Sequence, residues 1–76
     1  MQEMQRGGTA TMTRFPVDNA TYNLIKAAGE KLEAIEAYNK YAHDGGEGSD
    51  LWQRLAEEDA RHAKELIDAL HRQLMK

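Results

Sequence analysis

Ile25, Ala28, Leu32, Ile35, Asn39 and Ala42 recur at alternating steps of three and four residues. That spacing keeps one side of an α-helix apolar and repeats every seven residues, the pattern of a seam between two helices. Gly45, Gly46 and Gly48 then interrupt it, because glycine takes the left-handed conformation at which a helix ends and the chain turns. An apolar period resumes with Trp52, Leu55, Ala56, Ala63, Leu66, Ile67 and Leu70 and runs through Leu74. Start signals precede both stretches. Asp18 or Asn19 offers a side-chain oxygen to the free amides of a first turn, and Asp50 followed by Gln53 resembles a capping box. The pattern predicts helices over about 19–43 and 50–75, joined by a Gly-rich loop over 44–49. Residues 1–18, with Gly7-Gly8, Thr9, Thr11, Thr13 and Pro16, hold no sustained period and are expected to form an N-terminal arm, leaving 19–76 as a helical hairpin.

Helices of about 24 and 26 residues, roughly 36 to 39 Å long, are matched in length and linked by a short loop, so antiparallel packing is expected. Glu36 with Lys40, Glu57 with Arg61, Arg61 with Glu65, and Asp68 with Arg72 are expected pairs on the outer faces, each contributing a few tenths of a kcal/mol. Two helices cover each other on one side only. In a chain of 76 residues with no cysteine, the shortfall in buried area is expected to be met by self-association. The fold class expected is therefore all-α: an antiparallel helical hairpin that forms a four-helix bundle by homodimerisation. Tyr22, Tyr38, Trp52 and Ile67, on the flanks of the stripes, would cover the second hairpin.

One feature of the second stripe is polar. Asp59 and His62 sit three residues apart, on one helix face, near its centre. Burying a carboxylate and an imidazole is costly unless something satisfies both, and a metal ion, a cation from another helix or a bound water would each do so. Charge and composition narrow the partners. Ten Lys and Arg against 13 Asp and Glu give a net charge of -3, the wrong sign for binding a phosphate backbone through counterion release, so no nucleic acid is expected. No apolar run is long enough to span a membrane, and Met1 to Gly8 is too polar for a signal peptide, so a cytoplasmic protein without a membrane partner is expected. Zero cysteines exclude thiolate nucleophiles, iron-sulfur clusters and thiolate zinc sites. Any metal would have to be held by nitrogen and oxygen.

The segment Glu30-Lys31-Leu32-Glu33-Ala34-Ile35-Glu36-Ala37-Tyr38, followed by Glu57-Glu58-Asp59-Ala60-Arg61-His62-Ala63, resembles half of a ferritin-like bundle. It is similar to bacterioferritins, rubrerythrins and, by its two-helix size, the encapsulated ferritins. The resemblance spans roughly residues 22–74. It implies a ferritin-like four-helix bundle in which a Glu seven residues before a Tyr joins a Glu-x-x-His from the second helix, two such halves holding two iron ions. Here the position seven before Tyr38 is Lys31, and the second motif is Asp59-x-x-His62, with the shorter carboxylate. Glu36, at the edge of the first stripe, is the best substitute ligand. In a dimer, two copies each of Glu36, Asp59 and His62 would offer a hard, oxygen-rich set for iron, with Mn or Zn as alternatives. Ligation needs Asp59 ionised and His62 neutral at the ligating nitrogen, so such binding would weaken as pH falls. Tyr38 would donate a hydrogen bond to a ligand.

The residues admit plainer roles. Lys31 is able to reach across the seam to Asp59 and take the charge role of a metal, which leaves little net stabilisation after desolvation. Asn39 has the look of a polar residue that fixes register. His43 and His71 are expected at the surface, His43 beside the negative end of the first helix. Two functions follow: a homo-oligomeric protein that binds or stores iron, at most a ferroxidase-like oxidoreductase, or a metal-free hairpin that docks on itself, on a larger protein or on a shell. Encapsulated relatives usually carry a targeting tail after the second helix, whereas this sequence stops at Lys76, which counts against targeting to a shell unless the N-terminal arm supplies it. A hydrolase is disfavoured, because Ser49 is the only serine and has no histidine beside it.

Overall fold

A computed structural model describes residues 13–76; of the expected arm, residues 1–12 lie outside it. Residues 13–18 precede the first helix without helix or strand, and the Phe15 ring meets the Tyr22 ring edge-on at 5.2 Å between centroids. Two helices follow, α1 (Asn19–Asp44) and α2 (Ser49–Leu74), packed against one another as an antiparallel hairpin. Each has 26 residues, and among the described residues there is no strand.

Asp18 caps α1: its carboxylate accepts from the Thr21 N–H at 2.8 Å, supplying one of the partners that the first turn lacks. The helix stops where Gly45 (φ 85°) and Gly46 (φ 94°) take left-handed backbone angles, and the Gly45 N–H donates back to the Ala42 carbonyl at 3.2 Å. Side chains with a β-carbon rarely adopt those angles. The start of α2 differs from the expected capping box. Its cap is Gly48, with no side-chain hydrogen bond, and Asp50 lies inside the first turn. The cap falls two residues early, the Trp52 N–H donating to the Gly48 carbonyl at 2.9 Å, and Gly48 itself has no room for a capping side chain, because a β-carbon there would stand 2.8 Å from Trp52 Nε1. Asp50 still favours the helix electrostatically at that end.

The seam runs along a different column of α1 than the one expected. Thr21, Leu24, Ala28, Lys31, Ile35, Tyr38 and Ala42 are buried or half-buried, whereas Ile25, Leu32 and Asn39 are exposed. Both columns have the three-four spacing and share Ala28, Ile35 and Ala42. They differ in whether 24, 31 and 38 or 25, 32 and 39 turn inward. The second helix contributes Trp52, Ala56, Asp59, Ala63, Leu66 and Leu70. Tyr38 and Trp52, expected on the flanks, stack across the seam at 5.8 Å with planes 16° apart, and Tyr41 meets Trp52 edge-on at 5.1 Å. Ala28, Ala56, Ala63 and Thr21 are the buried residues among those described. No large side chain among them is wholly enclosed, as befits a layer one helix pair thick.

Candidate functional site

Halfway along the hairpin the seam carries a charge on each helix. Lys31 Nζ donates to Asp59 Oδ1 at 3.1 Å. Both residues occupy inward columns, Lys31 between Ala28 and Ile35 and Asp59 between Ala56 and Ala63, so neighbouring methyl groups and the Lys31 stem shield the contact from above and below. The Asp59 side chain is 15% exposed and that of Lys31 37%. Small neighbours matter here. Alanines at 28, 56 and 63 let the two backbones approach closely enough for a lysine to span the seam.

His62 lies one turn beyond Asp59, its Nδ1 3.6 Å from the same Oδ1 and its side chain 53% exposed. At that separation the two form an ion pair only when the imidazole is protonated, and no hydrogen bond joins them otherwise. A wide groove of about 520 Å³, open to solvent, continues from His62 along Glu65, Leu66, Asp68 and Arg72. Glu36 is exposed on α1 and does not join this group. Among the described residues, no three His, Asp or Glu side chains of one chain come together as a metal-ligand set. Of the three candidate ligands, then, one hairpin brings Asp59 and His62 together and leaves Glu36 apart. Tyr38, the expected hydrogen-bond donor, has its ring engaged against Trp52 one heptad away from Lys31.

The outer charges pair differently from expectation. Lys40 meets Asp44 at 3.4 Å and not Glu36, and Asp68 meets Lys64 at 3.3 Å and not Arg72; Lys26 with Glu30 at 3.4 Å completes the set of i, i+4 bridges. All are exposed and contribute little. His43 and His71 are exposed, as expected, and His43 stands in the last turn of α1. Asn39 is exposed too, so it does not fix the register within the hairpin. No described helix is long and apolar enough to cross a membrane.

Comparison with protein-family descriptions, with curated proteins and with solved structures finds no match to this chain.

Proposed function

We propose that this chain is an interaction module: a helical hairpin that pairs with a second copy to form a four-helix bundle, in which Lys31 supplies in each hairpin the positive charge that a metal would otherwise bring. The observation that carries this is the 3.1 Å contact between Lys31 Nζ and Asp59 Oδ1. Asp59 already has its counter-charge, and a cation entering there would have to displace an ammonium ion from a mostly buried carboxylate. Self-association is supported by the poverty of the interior, where the largest buried residue among those described is a threonine. A hairpin so thin gains most of its apolar burial by docking. A cytoplasmic setting, and a larger protein as a further partner, fit the cysteine-free composition and the exposed apolar side chains.

The competing function is iron binding between two ferritin-like hairpins through Asp59, His62 and Glu36. It is favoured by the shared face of Asp59 and His62. It requires Lys31 to leave Asp59 and a second hairpin to bring further carboxylates. Elemental analysis of protein loaded with Fe(II) and desalted separates the two. The module retains no stoichiometric metal as wild type, and Lys31→Glu gains it. An iron protein holds about one or two ions per dimer as wild type and loses them in Asp59→Ala. Light scattering across a range of chain concentrations tests association itself, and a folded hairpin that stays monomeric throughout would defeat both.

A further inference from the structure

The hairpin has two open faces, one on either side of the α1–α2 seam, and they expose different chemistry. On one face Ile25 and Leu32 of α1 and Ile67 and Leu74 of α2 are 44%, 52%, 45% and 62% exposed. With Asn39 on α1, and with Gln53 and Ala60 on α2, they form two columns at seven-residue intervals, the repeat of a helix-bundle seam. A hollow of about 320 Å³ lined by Ile35, Asn39, Gln53, Ala56, Glu57 and Ala60 places the columns side by side toward the loop. On the opposite face Ala27, Ala34, Leu55 and Ala69 are already half-covered, and Tyr41 and His62 are the large exposed members.

We infer that a second copy of the chain docks on the aliphatic face, in parallel orientation, with the two glycine loops at the same end of the bundle. This rests on the homodimer proposed above and specifies its interface. The register fixed by Lys31 with Asp59 and Tyr38 with Trp52 puts Ile25 within two residues, about 3 Å, of the level of Ile67, and likewise Leu32 of Ala60 and Asn39 of Gln53, the last two sharing one hollow. A twofold axis running along the hairpin lays α1 of one copy over α2 of the other and preserves those levels. Leu32 then enters the space above the partner's Ala60, Ile25 meets the partner's Ile67, and the amide of Asn39 meets that of the partner's Gln53. Every helix lies antiparallel to its neighbours, the favourable arrangement for the helix dipoles. An axis across the hairpin would instead set Ile25 against Asn39 and Ile67 against Gln53, burying amides among aliphatic groups that cannot satisfy them.

The match of large to small and polar to polar is supplied by the chain's own two columns, which is why the occupant is a second copy. Four half-exposed aliphatic residues fall well short, by themselves, of the about 800 Å² that a standard interface removes per partner. The amides, Gly29, Ala60 and the rims supply the remainder. One rim contact is unfavourable, since Glu36 comes within one helical turn of the level of the partner's Glu57, and both are exposed.

That contact and the absence of cysteine give the test. Sedimentation of Leu32→Glu should show the dimer dissociation constant raised at least about a hundredfold, because a charge would be buried at the centre of the face. Ala34→Glu, on the opposite face, should change it by less than about threefold provided circular dichroism reports an intact helix content. Glu57→Lys should tighten the dimer several-fold by turning the rim repulsion into attraction. A nitroxide on Glu47→Cys, the sole cysteine in such a chain, should give an inter-label distance under about 30 Å by pulsed electron paramagnetic resonance, against about 40 Å or more if the loops lie at opposite ends. A long distance overturns the parallel orientation. A dimer that survives Leu32→Glu and is lost in Ala34→Glu overturns the face while leaving the homodimer standing. A wild-type chain that never dimerises removes the homodimer itself.

Discussion

Lys31 and Asp59 face one another across the seam at 3.1 Å but are not equally committed to it: the carboxylate is 15% exposed and the lysine 37%. Losing Lys31 therefore strands a carboxylate that has little water to fall back on, while losing Asp59 frees an ammonium group that swings outward on its flexible stem. Lys31→Met is expected to lower the unfolding free energy by about 1–3 kcal/mol and Asp59→Ala by less than that. The double replacement Lys31→Leu with Asp59→Leu should recover wild-type stability or exceed it, since a well-packed apolar pair avoids the desolvation cost. Urea unfolding at one fixed chain concentration measures all four chains. Equal losses for the two single variants would contradict the asymmetry.

Gly48 and Trp52 make a second prediction. Alanine at 48 would put its β-carbon 2.8 Å from Nε1, in the middle of a rigid ring stacked on Tyr38, so the indole has to move. Gly48→Ala should cost about 1–3 kcal/mol, in the range of overpacking, and shift the emission of the single tryptophan. Gly46→Ala, strained by its φ of 94° with open space around it, should cost about 1 kcal/mol without moving the emission. Fluorescence-detected melting distinguishes them, and an unshifted spectrum in Gly48→Ala would show that the ring has room.

Asp18 predicts a pH dependence. Hydrogen bonds from the Thr21 side chain first, and then from its backbone N–H, hold the Asp18 carboxyl below its ordinary value. The folded state therefore favours the ionised form. The cap's contribution is fully present above the unfolded pKa of about 3.9 and is lost as pH falls through the lower, folded value. Asn also caps helices but does not titrate. The difference in melting temperature between wild type and Asp18→Asn should be constant above pH 5 and narrow or reverse below pH 3, in wild type's disfavour. A difference unchanged down to the acid limit would mean that the carboxylate is not the operative cap.

Ala63 is buried against α1 at the point where the Lys31 to Asp59 contact needs close backbones. Ala63→Leu should push the helices apart, cost about 1–3 kcal/mol, and break the ion pair, so that a following Lys31→Met costs almost nothing more. A double-mutant cycle on thermal unfolding checks the coupling; strictly additive effects would separate the alanine from the pair.

Much of the hairpin was legible because its signals are local. The glycines at 45 and 46 and the carboxylate at 18 act within a turn of themselves, so the ends of α1 and the start of the loop follow from residue type. Less legible was the start of α2, where Asp50 and Gln53 had the right spacing for a cap but the first turn closes from the Gly48 carbonyl to the Trp52 N–H, placing Asp50 inside the helix. The acid at 59 was visible as an inward residue, as was a lysine able to reach it, whereas the imidazole at 62, expected inward beside the acid, stands 53% exposed on an open face. The displacement of Ile25, Leu32 and Asn39 onto an open face was not visible, because a column containing a lysine and a tyrosine reads as polar when its partners across the seam are unknown.

Periodicity and chain-breaking residues thus determined two helices, their ends to within a residue and the reversal between them, since each depends on backbone preferences acting over a few positions. Which side of α1 turns inward was decided only in three dimensions. A charged or aromatic side chain is stable between helices when its complement stands opposite, and Asp59 for Lys31, with Trp52 for Tyr38, come from 14 to 28 residues away.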